Sequence, residues 1–315
     1  MNYVIIGLTP VMITITHRVS FVLQIWSKNI IHFKHENMSG KIWFITGASK
    51  GLGLSLVKKL LTGNYRVAAT SRNLAELISA AGEKSDYFLP LQCDLTDESS
   101  VKKAIEDSTA YFDTIDVVVN NAGYGMTGAI EELTDAEARR NFDVNVFGSL
   151  NVLRNVLPVL RRQGSGRIFN IASIGGFYGG FPGFGIYCAT KFAVHGFTES
   201  LAEEVRPFGI QATVVSPGYF RTSFLESSSL SSPSAPLSEY QSVRDTEKLH
   251  SESIRGNQPG DPDKAAEVMI DAASRTIQPV QLFLGADAYG MAEKKISLVQ
   301  ADLELFRATA TATAF

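Results

Sequence analysis

Tyr187 and Lys191 close the run Tyr187-Cys188-Ala189-Thr190-Lys191. A spacing of four puts both on one face of a helix, where their functional groups can converge. A phenol can donate a proton, but its unperturbed pKa is about 10, so reversible action near neutrality asks the surroundings for about 2 to 3 units, or roughly 3 to 4 kcal/mol. An ammonium one turn away supplies such help by stabilising the phenolate directly. Ser173 precedes Tyr187 by fourteen residues, and its hydroxyl can hold the same reacting oxygen and stabilise charge as it develops. Taken alone, Tyr187 and Lys191 also fit the face of an ordinary amphipathic helix.

A second centre of chemistry is Thr46-Gly47-Ala48-Ser49-Lys50-Gly51-Leu52-Gly53, which follows a short apolar run and precedes helical periodicity. A glycine-rich strand-to-helix turn lets backbone amides and a helix N-terminus approach a pyrophosphate. Its GxxxGxG spacing departs from the GxGxxG dinucleotide fingerprint, and a tight turn needing glycine is the plainer alternative. About 20 residues on, such a fold places an acid against the ribose 2′-hydroxyl; here the chain reads Thr70-Ser71-Arg72. Ser71 can hydrogen-bond a 2′-phosphate, and Arg72, helped by Lys50, can pair with it, which favours NADP(H) over NAD(H). Solvated surface cations are the alternative for both.

The elements that must carry these groups alternate along the chain. Short β-branched or apolar runs at Lys41–Thr46, Arg66–Thr70, Tyr87–Leu91, Ile115–Asn120, Arg167–Ile171, Gln211–Ser216 and Val280–Leu284 are separated by longer stretches of helical period. That grammar predicts an α/β fold, a Rossmann-type, doubly wound, mostly parallel sheet of seven strands with helices on both faces. Thr134-Asp135-Ala136-Glu137 predicts a capping box opening one long helix, and Asp261-Pro262 an N-cap followed by proline opening the last.

The 315 residues, 45% hydrophobic and 19% charged, describe a folded chain rather than a disordered one. A formal charge of −3 offers no basic field for nucleic acid. Cys93 and Cys188 are the two cysteines; they build no disulfide framework, and no Cys/His cluster suggests a metal. Tyr3–Thr16 and Phe21–Trp26 are apolar runs broken by His17 and Arg18, each short of the roughly 20 residues that span a bilayer. Residues 1–37 are expected to be an extension outside the fold, with Met38 as a working initiator; a peripheral arm and a targeting segment are the alternatives. Residues 38–315 then form a single catalytic domain, expected in the cytoplasm.

Three further pieces appear in order: Cys93-Asp94-Leu95-Thr96, Asn120-Asn121-Ala122-Gly123 and the Tyr187 to Lys191 run, with Asn145 inside the long helix before Ser173. The ensemble resembles the short-chain dehydrogenase/reductases, from about Lys41 to Leu284. The resemblance implies that Tyr187 is the catalytic acid/base, Lys191 its activator, Ser173 the holder of the substrate oxygen and Asn145 the anchor of a proton-relay water. It also implies that Gly47, Ser49, Lys50, Gly51, Leu52, Gly53, Ser71 and Arg72 bind the cofactor. Asp94 would lie by the adenine, Asn121, Ala122 and Gly123 along the cofactor, and Pro217, Gly218 and Thr222 at the nicotinamide carboxamide, with Tyr187 and Lys191 contacting it too. Hydride addition to a ketone creates an alkoxide that needs a proton donor within reach, which suits Tyr187.

His195 continues the Tyr187, Lys191 series, but about 12 Å along the axis from the tyrosine it is expected to serve packing or an interface. Asp143 reads as a helix-surface acid. Phe177, Tyr178, Phe181 and Phe184, on the glycine-rich stretch Gly175–Gly185, are expected to wall a pocket for an apolar substrate, with packing on a neighbouring subunit as the alternative. Tyr219, Phe220, Phe224 and Leu225 follow at the mouth of a Ser-rich segment, residues 223–260, expected to be a substrate lid or a linker. The expected function is NADP-dependent interconversion of a hydrophobic secondary alcohol and its ketone, or an aldehyde; the alternative is a catalytically silent, NADP-binding regulatory protein. The expected partners are that small molecule and a second copy in a homo-oligomer, with neither nucleic acid nor membrane.

Overall fold

The computed structural model describes Glu36, Met38, residues 40–227, residues 229–313 and Phe315. Its central sheet holds β1 (Ile42–Ile45), β2 (Arg66–Ser71), β3 (Phe88–Gln92), β4 (Val117–Asn120), β6 (Gly166–Ile171), β7 (Ile210–Pro217) and β9 (Gln281–Leu284), in the order β3-β2-β1-β4-β6-β7-β9. Every pairing is parallel, and each strand lies within two residues of its predicted run. Successive side chains alternate between faces. Trp43, Ile45, Val67, Val117, Val119 and Phe169 therefore meet α1 (Gly51–Thr62) and α8 (Pro262–Ser274) on one side. Ile42, Phe44, Ala68, Val118 and Ile168 meet α3 (Glu98–Phe112), α5 (Gly148–Gln163) and α6 (Gly185–Val205) on the other. Strand order reverses between β1 and β4, and the crevice above the carboxyl ends of such strands is where an open α/β sheet binds ligands.

Both predicted caps form. Thr134 accepts from the Glu137 amide while Glu137 reaches back to Thr134, opening α4 (Asp135–Phe142), and Asp261 accepts from the Asp263 and Lys264 amides at the start of α8. α4 does not run on as a regular helix. It passes through a π turn at Asp143–Phe147 into α5, and Asp143 opens that turn in an exposed position.

Residues 223–260 hold more structure than a Ser-rich linker would. A two-residue strand, β8 (Leu230–Ser231), pairs with β5 (Gly125–Met126), and α7 (Gln241–Lys248) leads into a π turn at Leu249–Ile254. The segment is clasped to the body by Glu132, whose side chain is wholly buried. Its carboxylate accepts from the Leu237 and Ala129 amides, each at 2.6 Å, and from Arg244 Nη2 at 2.8 Å. Burial opposes its charge, but those amides and Arg244 hold the carboxyl below the usual range. The last element is α9 (Ala286–Ala310), packed on the body through Ala288 and Ala292 and exposed from Ile296 outward. No helix among the described residues is long and apolar enough to cross a membrane.

Residues 1–35, most of the expected extension, lie outside the described residues. Met38 is buried in the core. Glu36 donates its backbone N–H to Ser274 O at 2.6 Å and accepts from Arg167 Nη2 at 2.7 Å. The Arg167 side chain is 10% exposed, so we propose that the folded unit includes Glu36. A chain beginning at Met38 is expected to fold but to melt roughly 2 to 4 °C below one beginning at Glu36, equivalent to about 1 kcal/mol for a half-exposed ion pair in a domain of this size. Equal calorimetric Tm values would refute this.

Candidate active site

The first turns of α6 carry Tyr187 and Lys191, 8% and 4% exposed. Lys191 reaches back under the sheet edge, donating from Nζ to Ile171 O at 2.9 Å, and its Nζ stands 5.9 Å from the Tyr187 ring centre. Ser173, just past the end of β6, accepts from the Gly175 amide at 3.1 Å, and its side chain acts on the Tyr187 phenol to favour ionisation. This hairpin-like approach needs glycine. A Cβ at Gly176 would lie 2.5 Å from the Lys191 carbonyl oxygen, inside any allowed contact. Burial pushes the Tyr187 phenol well above its ordinary pKa, with the Ser173 bond opposing, and pushes the Lys191 ammonium down to about 8.

Asn145 stands near Lys191, since a Cβ on Gly123 would lie 3.0 Å from Asn145 Oδ1 and 3.4 Å from Lys191 Nζ. At 1% exposed, it sits in the π turn, accepts from Tyr124 N at 3.0 Å and donates to Tyr124 O at 3.0 Å and Thr190 Oγ1 at 3.1 Å. Its side chain thereby ties the loop after β4 to α6. It does not line the cavity described next.

Ser173, Tyr187 and Lys191 face one end of a cavity of about 680 Å³ above the strand ends. Gly47, Ser49, Lys50, Gly51 and Leu52 line its floor, Ser71, Arg72 and Asp94 its far end, and Asn121, Ala122, Gly123, Pro217, Gly218 and Thr222 its flanks. α1 starts at Gly51 with no side chain capping its first turn, an arrangement that leaves its amides for an anion. Thr46 fixes the loop by accepting from the Asn121 and Ala122 amides at 3.1 Å, and Asn121 Nδ2 donates to Thr46 O and Gly47 O at 3.0 and 2.9 Å. At the far end Ser71 Oγ donates to Ser49 Oγ at 3.2 Å, and Arg72 is exposed. A lining that joins uncapped helix amides, a cation and the Ser173, Tyr187 and Lys191 set fits a dinucleotide. Gly53 is the exception among the glycines. A Cβ there would stand 2.4 Å from Asn121 Nδ2, so it serves loop packing under the floor.

The aromatic loop divides. Phe181 and Phe184 line the cavity, whereas Phe177 packs on Phe283 and Tyr178 lies under Lys294 of α9. Helix α9, absent from the sequence reading, draws those two rings away. Tyr219, Phe220, Phe224 and Leu225 do line the cavity. His195 is buried, bonded to Ser216 Oγ at 2.8 Å, and held down to about 4 by burial and by the Lys191 charge; it packs, as expected, and stays neutral. Burial raises the Cys188 thiol to about 11, which leaves no thiolate beside Tyr187. Two residues had no sequence signal: Asp287 Oδ2 accepts from the Tyr219 amide at 2.7 Å, fixing the Pro217–Thr222 segment from α9, and His250, in the π turn after α7, lines the cavity.

Comparison with known proteins agrees with this geometry. Residues 41–232 match the short chain dehydrogenase family. Oxidoreductase BOA17 of Botryotinia fuckeliana is 37% identical over 281 residues, covering 87% of this chain and 99% of that protein. Human 17-beta-hydroxysteroid dehydrogenase type 1 is 33% identical over 75% of this chain and 74% of its own. The crystal structure of a short-chain dehydrogenase from Streptomyces avermitilis superposes with a TM-score of 0.80 at 34% identity, covering 88% of this chain and all (100%) of that one. With the seven-stranded parallel sheet and a cavity above its strand ends, the chain belongs to the short chain dehydrogenase family and is an oxidoreductase using a nicotinamide dinucleotide.

Proposed function

We propose that this oxidoreductase uses NADP(H) to interconvert a hydrophobic secondary alcohol and its ketone, or an aldehyde, with Tyr187 as acid/base. The observation that carries the reading is the convergence of the Ser173 and Tyr187 hydroxyls, backed by buried Lys191, on an aromatic-walled cavity. When bound, the dinucleotide supplies or accepts the hydride. Gly47, Ser49, Lys50, Gly51 and Leu52 would hold its pyrophosphate, Ser71 and Arg72 its 2′-phosphate, Asp94 its adenine, and Pro217, Gly218 and Thr222 its carboxamide. Ser173 holds the substrate oxygen. As a ketone is reduced, Tyr187 gives its phenolic proton to the nascent alkoxide, and in the reverse direction it takes that proton back. Burial makes the phenolate costly and Ser173 opposes it only in part, so the Lys191 ammonium supplies further charge stabilisation of the phenolate. No observation favours the catalytically silent reading.

The test is turnover, followed by nicotinamide absorbance, over a panel of apolar and charged carbonyl compounds with NADPH. Better turnover of charged substrates than of apolar ones would refute the substrate class. Phe181→Ala is expected to raise KM for a bulky ketone several-fold and to leave a small one nearly unchanged, because burying a large apolar side chain is worth on the order of 1.5 to 3 kcal/mol. Equal effects on both would show that Phe181 serves packing. The proposal keeps a homo-oligomer, which sedimentation of the full chain checks.

A further inference from the structure

Tyr219 and His250 form a polar pair in the cavity wall that the proton transfer leaves unused. Tyr219 follows Pro217 and Gly218 at the end of β7; His250 sits in the π turn of the lid, 5% exposed. His250 Nδ1 lies 2.8 Å from Thr246 O. A carbonyl oxygen only accepts, so Nδ1 carries a proton. Burial lowers the pKa of the imidazole, which keeps the ring neutral and leaves a lone pair on Nε2. Nε2 is 2.9 Å from Tyr219 Oη, so the tyrosine hydroxyl donates to it. The Phe184 ring, centred 4.8 Å from the imidazole, and Asp287, which accepts from the Tyr219 amide, hold both partners in place. Burial pushes the Tyr219 phenol up to about 12, so its proton stays on. With that proton committed to His250, the Tyr219 oxygen has only lone pairs left for a neighbour.

We infer that Tyr219, oriented by His250, is a specificity-determining hydrogen-bond acceptor, and that the substrate is an apolar ketone bearing a hydroxyl donor close to the reacting carbonyl. The inference rests on the proposed reaction at Tyr187. Closeness to the reacting centre follows from the rings: Phe184 lies 6.2 Å from Tyr187 and 4.8 Å from His250, bridging the two. A substrate hydroxyl at this place finds an acceptor. An ether or second carbonyl oxygen there meets lone pairs and loses its water without replacement.

The experiment compares 2-hydroxyacetophenone with 2-methoxyacetophenone, two ketones of similar inductive pull of which only the first donates, using the full chain, NADPH and acetophenone as reference. The wild type is expected to favour the hydroxyketone in kcat/KM by about 10-fold, the worth of one net hydrogen bond. Tyr219→Phe should bring that ratio to near unity. His250→Phe keeps a ring against Phe184 but frees the Tyr219 proton, so the preference should turn toward the methoxyketone. A ratio near unity in the wild type, or one that survives both substitutions, overturns the inference. So does an equal loss on all three ketones, which would mean that the pair merely fastens the lid. If the wild type reduces none of them, the reaction proposed at Tyr187 fails; calorimetric titration of the same two ketones then decides this inference separately, with tighter binding of the hydroxyketone supporting it and equal binding overturning it.

Discussion

Tyr187→Phe is expected to lower ketone turnover by about 10²- to 10⁴-fold, the usual worth of a positioned general acid, while the dissociation constant for NADP(H) changes by less than about threefold. The substitution removes the hydroxyl alone. The ring keeps its contacts with Phe184 at 6.2 Å and Phe224 at 5.9 Å, so the pocket holds its shape and binding separates from turnover. Lys191→Ala should harm both, because the ammonium, bonded to Ile171 O at 2.9 Å, lies buried in the cavity wall beside Tyr187, where the proposed reading also has it contact the cofactor. Steady-state kinetics and cofactor titration of the two variants check this. Retention of more than roughly a tenth of the activity in Tyr187→Phe would require a different acid.

Arg72→Asp is expected to turn cofactor preference from NADP(H) toward NAD(H). Arg72 stands exposed at the far end of the cavity, beside Ser71, whose hydroxyl is bonded to Ser49. A hydrogen bond to a charged group is worth about 1.5 to 3 kcal/mol, so losing it should weaken 2′-phosphate binding by about 10- to 100-fold. The added carboxylate repels the phosphate as well, and Glu76 already lines that end. The ratio of kcat/KM for NADPH and NADH, measured in wild type and variant, gives the answer. A wild type that uses NADH better would sink the assignment.

The sequence by itself determined the layers of this fold and the heart of its site, because both are written in local chemistry. The strands inside the sheet read as apolar runs since both faces are covered, and the Thr134 capping box and Asp261-Pro262 start signal satisfy amides only two or three residues away. The same holds for Tyr187 and Lys191, whose spacing needs nothing but a helix. Tertiary structure decided what depends on partners distant in the chain. β5 and β8 are two-residue strands with no periodicity to read, held only by each other across more than 100 residues. Phe177 and Tyr178 leave the cavity because α9 takes them, Asn145 is tied to Tyr124 and Thr190 by side-chain hydrogen bonds, and Asp287 reaches Tyr219 from 68 residues away. The Tyr219–His250 pair is the sharpest case. Residue type supplies a phenol and an imidazole, but which one donates follows from burial and from the Thr246 carbonyl fixing Nδ1, conditions that exist only once the lid is folded onto the strand ends.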